Sequence, residues 1–289
     1  MKFICLYSIL LLSVVSISKA QEYELGEDSF RQAGVPRGKV TKYIWESPSF
    51  QNFREYYVYV PAQYDASKPA ALMVFQDGHA YVDTTNDWRV PIVFDNLIAK
   101  GQMPVTIGLF ITPGHPTKDF PENRFRNANR ANEYDELNDL YVNLLLTELI
   151  PELKKSLNIS DDRKRHAICG LSSGAICAWT AAWQRPDYFH KVLSHIGSFT
   201  NIRGGHHYPF LIRKSAPKDI KIYLQDGSND LNNIHGDWYI SNLQMASALR
   251  FKNYELETNW GTGGHDGKHG GSILSESLRW LWSDVVALK

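Results

Sequence analysis

Residues 165–183 read Arg165-His166-Ala167-Ile168-Cys169-Gly170-Leu171-Ser172-Ser173-Gly174-Ala175-Ile176-Cys177-Ala178-Trp179-Thr180-Ala181-Ala182-Trp183. A short apolar run meets a G-x-S-x-G turn, and a small-residue helical stretch follows. That pattern predicts a strand, a tight strained turn and a helix, with the serine hydroxyl exposed at the carboxyl end of the strand. Glycines two residues either side of the serine let the two backbones pass closely. The next amide, Ser173 N–H, falls at a helix N-terminus, where it can stabilise an oxyanion. Read blandly, the same residues are a glycine-rich turn with an incidental serine, so the rest of the chain has to decide.

Upstream, Lys39 to Trp45 and Arg54 to Val60 read as strands, and Ala70 to Gln76 as a continuous apolar strand buried on both faces. Residues 90–100 carry helical periodicity, and Val105 to Ile111 is a second buried strand. A long loop with Pro113, Gly114, Pro116 and Pro121 follows. Loops of that length in compact domains are usually functional or mobile. Asp135 to Leu157 reads as one long amphipathic helix with a bend near Pro151. Downstream, Val192 to Ile196, Ile220 to Gln225 and Tyr254 to Trp260 read as strands, and Asp237 to Lys252 and Ser272 to Val286 as helices. Strands followed by βα repeats give an α/β fold with a mostly parallel central sheet and helices on both faces. Ligands of such sheets bind beyond the carboxyl ends of the strands.

Two post-strand loops complete the chemistry that a serine needs. A serine hydroxyl is a poor nucleophile at neutral pH and requires a base, which requires an orienting acid. Asp226-Gly227-Ser228-Asn229-Asp230 follows one strand. Asp230 is preferred as the acid because it can curl over from the strand end, while Asp226 can cap its turn. Gly263-Gly264-His265-Asp266-Gly267-Lys268-His269 follows another strand. His265 is preferred as the base, with His269 beside it or on the leaving-group side. The same histidines, with His206 and His207, admit a metal reading, but a glycine-broken loop is a poor preorganised cage for an ion. The second oxyanion donor is expected from the Gly78 or His79 amide, after the 70–76 strand. Arg124, Arg126 and Arg130 in the long loop can read a polar substrate group or pair with Glu122, Glu133 and Asp135. Trp238, Tyr208 and Trp260 can stack on a substrate or pack in the core.

The amino end reads as an address. Met1-Lys2 precedes an apolar run from Phe3 to Ile17, and Ser18-Lys19-Ala20 supplies small residues for cleavage. Residues 1–20 are therefore expected to be a signal peptide and 21–289 a single domain. The run is short for a membrane span, so no stable membrane anchor is expected. Cleavage would remove Lys2 and Lys19 from 31 basic residues, leaving 29 against 31 acidic ones, a net charge of −2. Nothing in that balance calls for nucleic acid. Two cysteines would remain, Cys169 and Cys177, expected as buried free thiols.

Seven segments together give a resemblance. They are Tyr57-Val58-Tyr59-Val60-Pro61, Leu72-Met73-Val74-Phe75-Gln76-Asp77-Gly78, Glu148-Leu149-Ile150-Pro151-Glu152, Gly170-Leu171-Ser172-Ser173-Gly174, Arg185-Pro186-Asp187-Tyr188-Phe189, Gln225-Asp226-Gly227-Ser228-Asn229-Asp230 and Gly263-Gly264-His265-Asp266. Over residues 37–286 the chain resembles the putative-esterase branch of the α/β-hydrolases, which holds enterochelin esterases, esterase D and the carbohydrate esterases of family one. The resemblance implies an α/β-hydrolase fold, with nucleophile, acid and base at Ser172, Asp230 and His265. Gly264-His265-Asp266 looks most like the enterochelin-esterase members.

The expectation is then an exported, periplasmic or secreted serine carboxylester hydrolase. It needs no cofactor, and its partner is a small-molecule or polysaccharide ester, feruloyl or acetyl on a carbohydrate. A siderophore triester, acyl transfer to a sugar acceptor, and an inactive binding protein on the same fold are the alternatives.

Overall fold

A computed structural model describes residues 22–286. The expected signal peptide, residues 1–20, lies outside the described residues. Strands β1 (Lys39–Ser47) and β2 (Asn52–Val60) form an antiparallel hairpin. Four strands, β3 (Ala71–Gln76), β4 (Thr106–Ile111), β5 (His166–Leu171) and β6 (Lys191–His195), follow in parallel pairing. Strand β7 (Lys221–Gly227) extends the parallel array, and a two-residue-stranded hairpin, β8 (Asn232–Asn233) with β9 (Gly236–Asp237), stands apart from it. The last strand, β10 (Glu255–Gly261), pairs with β7. The large sheet runs β1-β2-β4-β3-β5-β6-β7-β10, with antiparallel pairing confined to the β1, β2 and β4 contacts. This is the mostly parallel α/β-hydrolase sheet expected.

Period-two alternation explains how the sheet buries both faces. In β3, Leu72 and Val74 join one apolar cluster, while Ala71, Met73 and Phe75 join the other. The first cluster is covered by helices α3 (Arg130–Tyr134), α4 (Leu140–Leu144), α5 (Ile150–Lys154), α6 (Ser173–Gln184), α7 (Tyr208–Lys214) and α8 (Trp238–Phe251). Helices α1 (Gly78–Val82), α2 (Val90–Ala99), α9 (Lys268–Ser272) and α10 (Leu274–Trp282) lie on the second side. Helix α6 is buried from Ser173 to Trp183. Its alanines let it press against the sheet, and Trp179 fills the remaining space with no exposure. Truncating such a buried tryptophan costs about 3–5 kcal/mol.

The helix expected from Asp135 to Leu157 is shorter, a helical run from Leu140 to Lys154, and its expected irregularity near Pro151 is present. Residues 135–139 bend, the helix starts at Leu140, and Leu145–Leu149 is a π-helical turn. Pro151 explains the turn: it lacks the N–H that the Thr147 carbonyl would receive, and the wider turn accommodates the loss. Helix α7, from Tyr208 to Lys214, was not among the expected elements, and Pro209 lies in its first turn, where proline is well suited. Cys169 and Cys177 are buried and unpaired, as expected. No helix among the described residues is long and apolar enough to cross a membrane.

Candidate active site

Strand β5 ends at the turn quoted above, and Ser172 sits there with φ 56° and ψ −123°. A non-glycine residue in that region is strained, and strain of this kind persists only where surroundings enforce it. Here the enforcement is visible. Ser172 N–H donates to His195 O at 3.0 Å, and Ser172 O accepts from Ser198 N–H at 3.1 Å. A Cβ on Gly170 would lie 2.1 Å from Gly174 O, so only glycine lets the turn close. Ile196, next to the turn on the β6 side, is also forced to positive φ (44°), with its N–H on Gln225 O at 2.8 Å.

His265 Nε2 lies 2.8 Å from Ser172 Oγ, and His265 Nδ1 lies 2.5 Å from Asp230 Oδ1. The carboxylate fixes the tautomer, since Nδ1–H must donate to it and Nε2 is left to accept from the serine. Asp230 is held in place by the Leu231 N–H at 2.5 Å and by its own N–H on Gly227 O at 3.0 Å. Its side chain is fully buried, whereas that of His265 is 21% exposed, so the ring faces the cleft. Asp226 lies behind it, fully buried, with Gly227 N–H on its Oδ1 and Asn242 Nδ2 on its Oδ2, both at 2.7 Å.

A second hydroxyl touches the nucleophile. Ser198 Oγ is 3.2 Å from Ser172 Oγ and accepts from the Trp238 indole N–H at 3.0 Å. An indole N–H can only donate, so the one Ser198 proton is free to point at Ser172 Oγ. Directions then run one way along the whole line, from Trp238 through Ser198 and Ser172 to His265 and Asp230. Trp238 also sets its edge against the His265 ring, with centroids 5.9 Å apart.

The turn after β3 abuts this line. Asp77 adopts a left-handed conformation (φ 54°) and starts α1, so the Gly78 and His79 amides belong to the first turn of a helix. A Cβ on Gly78 would meet Ile111 N at 2.3 Å, and one on Gly174 would meet Asp77 Oδ2 at 2.9 Å. The two helix N-termini, of α1 and α6, are thereby pressed together beside Ser172, and each brings backbone donors and a positive dipole end. Asp77 is fully buried and receives both arms of Arg130, at 2.9 and 2.6 Å.

A cleft of about 410 Å³ opens over Ser172 and His265, lined by Ala80, Asn86, Asp87, Trp88, Phe125, Arg130, Leu171, Asp266 and Gly267. Its volume suits a small-molecule ligand. Of the side chains offered for ligand contact, Arg130 lines the cleft, although its guanidinium is committed to Asp77. The others are placed as follows. Arg124 bonds Glu55 at 2.5 Å, and Arg126 is exposed on the loop. Trp238 is buried beneath Ser198 and His265. His269 accepts from Gln225 Nε2 and donates to Asn259 Oδ1, both at 2.9 Å, and stacks on Tyr23. Burial pushes the His269 pKa below its usual value, which suits a neutral structural ring. His265 and His269 are turned to different partners, and among the described residues no three His, Cys, Asp or Glu side chains converge. Tyr208 and Trp260 pack with Trp179 and Tyr239 rather than at the cleft.

Trp88, Phe125, Asp87 and Ser198 were not singled out from the sequence. Ser198 had a usable signal, since Ile196-Gly197-Ser198 follows the strand beside the elbow. Trp88 and Phe125 sit in loops whose path no periodicity describes.

Comparisons with known proteins bear on the fold and the family. A family model described as "Putative esterase" matches residues 47–284. Iron(III) enterobactin esterase of Escherichia coli O6:H1 (strain CFT073) is 24% identical over 199 residues, 67% of this chain and 46% of that protein. The chain thus spans about half the length of that curated relative. Among solved structures, the enterobactin esterase of Shigella flexneri with enterobactin superposes with a TM-score of 0.70 at 22% identity, covering 86% of this chain and 61% of that one. The ferulic acid esterase of Anaeromyces mucronatus superposes with a TM-score of 0.66 at 18% identity, covering 89% of this chain and 97% of that one. The likeness to the solved structures is one of fold, and the family match spans most of the chain. The chain belongs to the "Putative esterase" family of α/β-hydrolase-fold proteins.

Proposed function

We propose that this chain is an exported serine carboxylester hydrolase acting through an acyl-enzyme. The observation that carries the reading is the Ser172–His265–Asp230 line, with its 2.8 and 2.5 Å contacts, at the floor of an open cleft. Ser172 Oγ attacks the ester carbonyl while His265 Nε2 takes its proton. Asp230 stabilises the imidazolium that forms. The Ser173 amide and one of the Gly78 and His79 amides receive the negative charge on the carbonyl oxygen. Imidazolium then protonates the departing alcohol, and water, deprotonated by the same ring, releases the acid. Ser198 O–H stays on Ser172 Oγ before attack and orients it towards the carbonyl. Export rests on the leader at residues 1–20.

The acyl group we assign is aromatic, on a carbohydrate alcohol. Trp88 and Phe125 wall the cleft, and Asn86, Asp87 and Asp266 offer acceptors to phenolic hydroxyls. Aromatic contacts add about 0.5–1.5 kcal/mol beyond area burial, so an aryl acyl ester should outrun an acetyl ester roughly tenfold in kcat/KM. The ferulic acid esterase likeness supports this choice. A siderophore triester is the second reading, favoured by the enterobactin esterase match. Methyl ferulate, feruloylated arabinoxylan, p-nitrophenyl acetate and enterobactin, each with a Ser172→Ala control, separate the readings. Ser172-dependent preference for the feruloyl esters is expected. Preference for enterobactin would replace the substrate class, transfer to an added sugar would make the chain a transferase, and no cleavage would leave a binding protein.

A further inference from the structure

Behind the proposed triad lies a second carboxyl that the chemistry above does not use. Asp230 spends its Oδ1 on His265 Nδ1 and Leu231 N–H. Its Oδ2 is buried and receives no hydrogen bond from an ordinary donor among the described residues. A carboxylate oxygen left bare in the interior is costly, and native proteins rarely leave one so. Asp226 is fully buried and within hydrogen-bonding reach of Asp230. Two carboxylates there would be acceptor against acceptor and charge against charge. The contact closes only if one of them carries a proton.

The surroundings assign that proton. Asp230 faces His265, whose Nδ1–H needs an ionised partner. Asp226 is gripped by neutral donors, the Gly227 amide and the Asn242 side chain. Its neighbour across the sheet is Trp260 of β10, and α8 presents Asn242. The ionisable group facing it is Asp230, with His265 beyond. From this geometry, and resting on the serine-esterase reading, we propose that Asp226 is a protonated positioning residue whose O–H donates to Asp230 Oδ2 and locks that carboxylate onto His265. Burial first, and the Asp230 carboxylate next, push the Asp226 carboxyl up to about 9. The acid is therefore neutral at pH 7 and ionises only in alkali. Ionisation would remove the donor and set two like charges side by side, moving Asp230 off the imidazole.

Asparagine is the natural replacement, because its amide N–H donates at every pH. Asn242 Nδ2 also reaches Gly197 O at 2.8 Å and Trp238 O at 3.0 Å, so it can release the new side chain without being stranded. The experiment measures kcat/KM from pH 6 to 10.5 for the protein, Asp226→Asn and Ser172→Ala, with spontaneous ester hydrolysis subtracted. Thermal unfolding is followed over the same range. We expect an alkaline limb near pH 9 in the unaltered protein, with activity falling at least tenfold by pH 10.5. Asp226→Asn should stay within about threefold at pH 7 and keep its activity to pH 10.5. Its Tm should also gain on the unaltered protein as pH rises from 5 to 8. That sign follows because the folded state alone holds the Asp226 proton over that range, so rising pH favours unfolding until the substitution removes the site. No alkaline limb, a limb that survives in Asp226→Asn, or a folded Asp226→Asn that loses more than a hundredfold at pH 7 would each overturn the assignment. Activity retained by Ser172→Ala would instead overturn the serine-esterase reading itself.

Discussion

Arg130→Met should cost far more stability than a loop substitution ordinarily does. Asp77 has no exposed side-chain surface, and Arg130 has 13%. Both guanidinium arms reach the carboxylate, at 2.9 and 2.6 Å. Removing the cation leaves a buried carboxylate against Gly174 and the elbow. Breaking a buried pair from one side costs about 3–5 kcal/mol. At about 2–4 °C per kcal/mol for domains of roughly this size, Tm should drop by on the order of 10 °C. The double variant Asp77→Asn with Arg130→Met leaves no buried charge and should regain most of the stability. Because Asp77 begins the helix that carries the Gly78 and His79 amides, kcat should fall with the single substitution. Urea unfolding of the single and double variants, with kcat and KM on an aryl ester, measures all of this. A loss below about 1 kcal/mol, with KM alone affected, would refute the reasoning and make Arg130 a substrate contact.

Three further outcomes are expected. His265→Ala should reduce kcat by several orders of magnitude, while His269→Ala should leave kcat nearly intact and lower Tm, because His269 bonds only Gln225 and Asn259; parallel kinetics and melts decide. Ser198→Ala should lower kcat about three- to tenfold at unchanged fold, the net worth of one hydrogen bond being about 0.5–1.5 kcal/mol; steady-state kinetics check it. Burial pushes His195 down to about 3, so the unfolded chain binds a proton near pH 6.5 that the folded chain refuses. Stability should thus fall on acidification below 6.5, by about 1.4 kcal/mol per pH unit from this group, and His195→Gln should show a shallower slope in urea titrations between pH 6.5 and 4.

The parts legible in the sequence were those written in local chemistry. Apolar runs gave the central strands, and G-x-S-x-G between a strand and a small-residue helix located Ser172. Asp230 and His265 were readable because each follows a strand and a glycine frees its turn. What escaped depends on long-range packing. Nothing near Arg130 in the chain says that its partner is Asp77, 53 residues away; the nearby acids looked the better partners. His269 stood behind His265 as a candidate beside the chemistry, and its enclosure by Gln225, Asn259 and Tyr23 was not readable from the chain. Trp238 was open to stacking or to core packing, and only the fold places it under Ser198. The irregularity of the long helix near Pro151 was legible because proline lacks an N–H, but the delayed start at Leu140 was not readable from periodicity.

Covalent trapping tests the central claim most directly. Diethyl p-nitrophenyl phosphate, offered to the protein after removal of residues 1–20, should release one equivalent of p-nitrophenol and abolish ester hydrolysis. Peptide mass spectrometry should place one diethylphosphoryl group on Ser172, and Ser172→Ala should neither label nor hydrolyse. A label on another residue that tracks inactivation, or ester turnover that persists in Ser172→Ala, would contradict the account.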